Sequence, residues 1–337
     1  MCPFQPDAPR IRLSLLLIGV ILFALPVPQS HALVLKIATV SPEGAMWMTK
    51  MREGAAEIAR RTEGRVTFKF YPGGIMGSDQ SVLRKMRIGQ LQGGAFPAGS
   101  LAKVYPDIQI YGLPFLFSTQ SEVDSVRARM DDRLMQGLGQ HGLVGFGFAG
   151  GGFAYIMSTA PQKTIQEFRK HKVWVPVGDT IGRAVIQEAG ASPIPLSLSD
   201  VLTGLQTGMV DTVATSPVAA IAFQWHTKVT YLTDAPISYI YALLAIDKKA
   251  LNKIRPADQQ IVRQVMARVY REIDRQNRMD NEKARQALQR QGVTFVKPSA
   301  ASLAEWKAAA AKAIERLGRQ GEFTPAMLST LRGYLRR

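Results

Sequence analysis

Val34-Leu-Lys-Ile-Ala-Thr-Val40 followed by Ser41-Pro42-Glu43 is the stretch on which the fold turns. The first seven residues are apolar enough for a buried strand. The next three read as a helix start, with Ser41 as N-cap, Pro42 at the first helical position and Glu43 in the first turn. That helix is expected to run to about Arg61, where Thr62-Glu63-Gly64 ends it. Val66, Phe68 and Phe70 then alternate with polar residues, the period of a second strand. Tyr71-Pro-Gly-Gly-Ile-Met-Gly77 is a loop, and Asp79 can cap a helix reaching about Leu91. Strand, helix, strand, helix at this spacing implies βαβ units and a parallel sheet.

The alternation continues downstream. Extended segments are expected at Leu143 to Gly147, Tyr155 to Ser158, Lys172 to Pro176, Val210 to Thr215 and Thr294 to Val296. Helices are expected over Thr164 to Phe168, Thr180 to Ala189, Ser199 to Thr207 and Ser302 to Leu317. Pro256 opens a long helix to about Gln291, with Val262, Val265, Val269 and Ile273 at helical spacing. Two α/β lobes joined by crossing strands fit this pattern better than one doubly wound sheet.

Composition narrows the function. The 337 residues are 46% hydrophobic, which excludes a disordered chain, and one cysteine excludes a disulfide framework or Cys-rich metal site. Lys plus Arg outnumber Asp plus Glu by 42 to 26, a net charge of +16. The basic residues are spread along the chain with no like-charge block, zinc-finger spacing or RNP motif, so nucleic acid is not the expected partner.

Arg10 and Arg12 precede the apolar run Leu13 to Leu25, and Ser30-His31-Ala32 is a small-residue ending. This is the pattern of a signal peptide over 1–32, cleaved after Ala32. Export would remove Cys2 and lower the net charge by one only. No other apolar stretch approaches 18 residues, so the mature chain is expected not to be membrane-embedded.

Catalytic signatures are missing. His141, His171 and His226 are isolated, and no HExxH, P-loop, G-x-S-x-G or strand-borne G-x-G-x-x-G occurs. Neither a metal nor a cofactor is expected, and no tuned acid, base or nucleophile is marked.

Five segments in order resemble the DctP-type solute receptors of TRAP (tripartite ATP-independent periplasmic) transporters. They are Ala38-Thr-Val-Ser-Pro-Glu-Gly44, Tyr71-Pro-Gly-Gly-Ile-Met-Gly77, Leu113-Pro-Phe-Leu-Phe117, Lys172-Val-Trp-Val-Pro176 and Leu205-Gln-Thr-Gly-Met-Val-Asp211. The resemblance implies a two-lobe periplasmic binding-protein fold (type II-like) with a ligand cleft between the lobes and a long helix spanning both. It implies a periplasmic receptor, not an enzyme, that captures a small organic solute and passes it to TRAP membrane permease subunits. On this reading lobe 1 is 33–154 plus about 238–285, and lobe 2 is 155–237 plus about 286–337. The hinge strands fall near Gly150 to Tyr155 and Thr233 to Tyr241.

The chain departs from the family at the ligand anchors. The family's K-I-R-V-P reads Lys172-Val-Trp174-Val-Pro176 here, and its second common arginine falls on Ala154. Its frequent Asn falls near Thr215. Arginine grips a carboxylate with a charged planar fork, whereas tryptophan offers one N–H and a π-face. One explanation keeps an organic acid held by relocated donors: Arg183, Lys50 or backbone N–H groups at helix starts. Another has an aromatic or uncharged ligand stacking on Trp47, Tyr155, Trp174 or Trp225. A cation facing Glu43 or Asp179 is the third. Asp211 is expected to brace a turn.

Overall fold

The computed structural model describes Met1 and residues 32–335; the leader reading falls on residues 2–31, outside the described residues. The strands are β1 (Leu33–Thr39), β2 (Val66–Tyr71), β3 (Gly93–Pro97), β4 (Leu143–Gly145), β5 (Ala149–Ser158) and β6 (Lys172–Pro176). They continue with β7 (Ser192–Leu196), β8 (Thr212–Thr215), β9 (Tyr231–Thr233), β10 (Ser238–Asp247) and β11 (Thr294–Val296). The helices are α1 (Met46–Arg61), α2 (Asp79–Arg87), α3 (Gln120–Gln140), α4 (Ile165–Phe168), α5 (Thr180–Glu188) and α6 (Val201–Gln206). After them come α7 (Pro217–Ala222), α8 (Lys248–Leu251), α9 (Pro256–Arg290), α10 (Ala300–Arg319) and α11 (Pro325–Leu335).

Two sheets share one strand. The first runs β2-β1-β3-β10-β5, with β1 parallel to both neighbours and β10 antiparallel to β3 and β5. The second runs β5-β8-β6-β7, with β9 added on β5 and β11 on β9. β5 makes the crossing. Its residues through Ala154 pair with β10, and from Tyr155 onward they pair with β8. Each sheet is the floor of one lobe.

Apolar spacing covers both faces of each sheet. Met48, Met51, Ala55 and Ile58 of α1 meet Val262, Val265, Met266 and Val269 of α9 on one face of the first sheet. Val123, Val126, Met130 and Leu134 of α3 fill the other, where α3 starts on a capping box between Thr119 and Glu122. On the second sheet, α6 and α7 lie over one face, and α4, α5 and α10 over the other. α9 packs on α1 of the first lobe and on α7 of the second. Its 35 residues give a rod of about 50 Å.

Three differences from the sequence reading matter. The first helix begins at Met46 rather than beside Pro42, because Gly44 sits at φ 83° and a turn closes from Ala45 N–H to Pro42 O. Ser41-Pro42-Glu43 is therefore a loop ahead of the helix. α2 is capped by Ser78, with Asp79 as its first residue and its end at Arg87. At the other end of the chain, α11 packs against α3 and the 106–112 turn. Its Met327 and Leu331 join the hydrophobic cluster that α3 shares with Ala313, Ile314 and Leu317 of α10.

The segment of β5 beside β10 is held by buried polar groups of α9. At Gly151 the pairing of β5 with β10 slips by one residue, a bulge between Ile240 and Tyr241. Gly152 follows at φ 92°, and a Cβ there would fall 2.5 Å from Asn281 Nδ2. α9 holds this segment from behind. Gly150 N–H donates to Asp274 Oδ1 at 2.7 Å, Asn277 Nδ2 donates to Gly150 O at 2.8 Å, and Asn281 Nδ2 donates to Gly151 O at 3.0 Å. Asn281 Oδ1 also accepts from Val218 N–H of α7 at 3.2 Å, which ties the hinge to the second lobe.

Candidate functional site

A cavity of about 540 Å³ lies between the sheets, within the usual range for a bound small molecule. Its wall is built by the C-terminal ends of strands and the helix starts that follow, where open α/β sheets bind ligands. From the first lobe come Thr39, Trp47, Asp79, Phe96 and Phe115; from the second, Trp174, Asp179, Thr215, Ser216 and Phe223. The loops meet over it. A methyl added to Gly74 would stand 3.5 Å from Ser199 Cβ, and one on Gly178 would stand 3.4 Å from Gln80 Nε2.

Trp47, Trp174 and Thr215 all line this cavity, as does Ala154. The late start of α1 places Trp47 in its first turn, facing the space. Trp174 follows from strand alternation on β6, and its Nε1–H donates to Leu196 O at 3.1 Å. With its donor engaged, the indole offers the cavity an apolar face.

The other candidates stand elsewhere. Tyr155 is on the opposite face of β5 from Ala154 and Ile156, which line the cavity; its ring lies under the Arg285 guanidinium, 5.3 Å away. Burial raises its hydroxyl pKa. Trp225 is 1% exposed and stands edge-on behind Trp174, 5.1 Å between ring centres, so it props the wall instead of forming it. Arg183 is exposed, because α5 turns Ile181, Gly182 and Val185 toward the cavity. Glu43, in the loop before α1, pairs with Arg52 at 2.7 Å. That hydrogen bond holds its carboxyl below the usual range. Lys50 pairs with Glu53 at 2.7 Å. Asp211 braces a turn: it accepts from Lys172 N–H and from Thr212 Oγ1, each at 3.0 Å.

Among the described residues, no lysine, arginine or histidine lines the cavity; its charged residues are Asp79, Asp179 and Asp280. Burial pushes the Asp79 carboxyl up, against the Ser100 hydroxyl that donates to it. Burial also pushes Asp179 up, opposed by the N–H groups of Gly182 and Ile181, whose helix it caps.

Four helices present their starts to the cavity, and they are not equivalent. α2 and α5 are capped by Ser78 and Asp179. α1 has no side-chain cap and no acidic residue in its first turn. Its ladder begins with Thr49 N–H to Ala45 O, so the N–H groups of Met46 and Trp47 precede it. Short α7 starts at Ser216, which is 1% exposed and whose Oγ has no hydrogen-bond partner. Trp306, also in the wall, has an unpartnered Nε1–H.

The model of bacterial extracellular solute-binding protein family 7, DctP, matches residues 37–320. The chain belongs to that family. It is a periplasmic solute-binding protein of the TRAP type, and no helix among the described residues is long and apolar enough to cross a membrane. The C4-dicarboxylate-binding periplasmic protein DctP of Rhodobacter capsulatus is 26% identical, over 84% of this chain and 86% of that protein. The uncharacterized protein YiiZ of Salmonella typhimurium is 25% identical over 61% of this chain, which spans only 64% of that relative's length. Among solved structures, a TRAP periplasmic solute-binding protein of Xanthobacter autotrophicus with bound β-D-galacturonate superposes with a TM-score of 0.82. It is 20% identical and covers 90% of this chain and 99% of its own. Its likeness extends the two-lobe fold across nearly the whole described chain.

Proposed function

We propose that this protein captures one small organic acid by closing its two lobes around it and delivers the acid, chemically unchanged, to a TRAP membrane permease. The relatives are named for C4-dicarboxylate and found with galacturonate, and the cavity between the two sheets supports the same use here. The observation that carries the reading is the cavity at the strand ends, over which the loops carrying Gly74 and Gly178 come close to Ser199 and Gln80. Closure needs a ligand with greater affinity for the closed form. β5 and the glycine bulge supply the bend, and α9 holds both lobes in register. Trp47, Trp174 and Thr215 contact the ligand. Tyr155, Trp225, Arg183 and Glu43, also proposed from sequence, support or surround the site instead.

Without a basic side chain in the wall, the carboxylate is held by relocated neutral donors. The uncapped first turn of α1 offers N–H groups at the positive end of a 16-residue helix. Ser216 and Trp306, two residues of the wall, add a buried hydroxyl and a buried N–H without partners. No step of covalent chemistry is needed. Native mass spectrometry tests this: one molecule should be bound per chain and recovered with its mass unchanged after long incubation. A product of altered mass would establish turnover and end the reading.

A further inference from the structure

We infer that the cavity selects a monocarboxylic acid bearing an aromatic ring, and rejects sugar acids and dicarboxylates. The inference rests on the receptor reading above and names the class of its ligand. Aromatic residues stand on both sides of the space: Trp47, Phe96 and Phe115 from one lobe, Phe168, Trp174 and Phe223 from the other. Two such walls closing on a flat ring bury both its faces and match the offset or edge-on geometry that aromatic pairs prefer. Phe115 carries a second sign of purpose. It is a non-glycine residue at φ 55°, held by its N–H on Ile237 O at 2.7 Å. Backbone in that region is unfavourable for a bulky side chain and persists where surrounding structure fixes it, often at ligand sites.

The polar groups of the wall argue in the same direction. Ser100 is committed to Asp79, Gln109 to Glu322 O, Thr212 to Asp211, and Asn277 to Gly150 O. Ser41, Gln80, Thr215 and Ser238 are the wall side chains left to pair with a ligand; a polyhydroxylated acid would bury more hydroxyls than these can meet, and each one left unpaired weakens binding. The uncapped start of α1 suits one carboxylate. Ser216 and Trp306 line the same cavity, and each keeps a buried polar atom that no group among the described residues pairs. A second carboxylate would meet Asp79, Asp179 or Asp280 in a wall with no cation to offset it.

Calorimetric titration of the mature chain at pH 7.5 tests this with 2-naphthoate, 2-naphthamide, D-galacturonate and succinate. The expected result is binding of 2-naphthoate at least tenfold tighter than each of the other three. Trp174→Ala and Trp47→Ala should each weaken 2-naphthoate at least tenfold, and Trp174→Phe, which keeps a ring, should retain most of it. Galacturonate or succinate binding as tightly as 2-naphthoate, or no measurable 2-naphthoate binding, overturns the inference. Equal binding of the amide overturns the carboxylate half of it. All of these leave a receptor standing, whereas chemical conversion of any probe would remove the receptor reading itself.

Discussion

β5 separates two regions that treat charge in opposite ways. Behind it, Arg127 donates to Asp274 Oδ1 at 2.7 Å and to Asp131 Oδ2 at 3.1 Å, and Arg278 reaches Asp274 Oδ2 at 2.8 Å. Burial works to raise the Asp274 carboxyl, but Arg127 and the Gly150 N–H outweigh it and hold the group below its usual range. In front of β5, Asp79 and Asp179 face the cavity with no cation in the wall among the described residues, and burial prevails. Buried arginine therefore braces the back of β5, whereas among the described residues none lines the cavity in front of it. The chain's net charge of +16 describes the exterior and the hinge, not the binding surface.

The comparison breaks first at the hinge. Arg127→Ala leaves Asp274 with only Arg278 and the Gly150 N–H, and Asp131 with only the Tyr111 hydroxyl, and should cost about 2 kcal/mol or more of stability by urea denaturation, as loss of charged hydrogen bonds in the interior does. A loss below about 1 kcal/mol would mean that the network is not holding β5. Asp274→Asn gives the sign with pH. Because the folded carboxyl lies below its ordinary value, its contribution is present above about pH 4 and fades as the pH falls through the folded value. The stability gap between wild type and Asp274→Asn should be full at pH 7 and shrink in acid; a gap that widens in acid would reverse the assignment.

On the cavity side, Trp174→Ala should weaken ligand binding by about 2 kcal/mol, the loss expected of a buried aromatic anchor. Unchanged affinity would remove Trp174 from the site. Gly152→Ala forces a side chain toward Asn281 at φ 92° and should cost about 1–2 kcal/mol of stability. A variant as stable as the parent would show that the bulge tolerates other residues. The smallest effect is expected from Arg183→Ala, which should leave ligand affinity within error because Arg183 is exposed outside the wall. A collapse of affinity there would return the charge to the ligand and erase the contrast between the two sides of β5.

Much of the scaffold was legible in the residues. Apolar spacing located β1, β2 and α9, and the expected crossing near Gly150 to Tyr155 contains the step from Ala154 to Tyr155 at which β5 changes partners. The position of Trp174 in Lys172 to Pro176 led to the cavity wall. What escaped depends on small geometric offsets. A single glycine, Gly44, delays the first helix and turns a capped start into an open one beside Trp47. Strand alternation decides that Ala154 and Ile156, not Tyr155, face the cavity. Trp225 looks like Trp174 in sequence, yet one ring covers the other. Asp79 was legible as a helix-start residue, but its lack of a cationic partner across the cavity is set by tertiary packing. The packing of α11 on α3 is likewise a long-range choice.

On the proposed reading, this cavity binds an acid with neutral donors and aromatic walls. A crystal structure of the protein with 2-naphthoate tests it most directly. The account predicts the ring between Trp47 and Trp174 and the carboxylate on the N–H groups that open α1, with no arginine or lysine within hydrogen-bonding distance. A carboxylate paired with a basic side chain, or a ring seated outside the cavity, would contradict it.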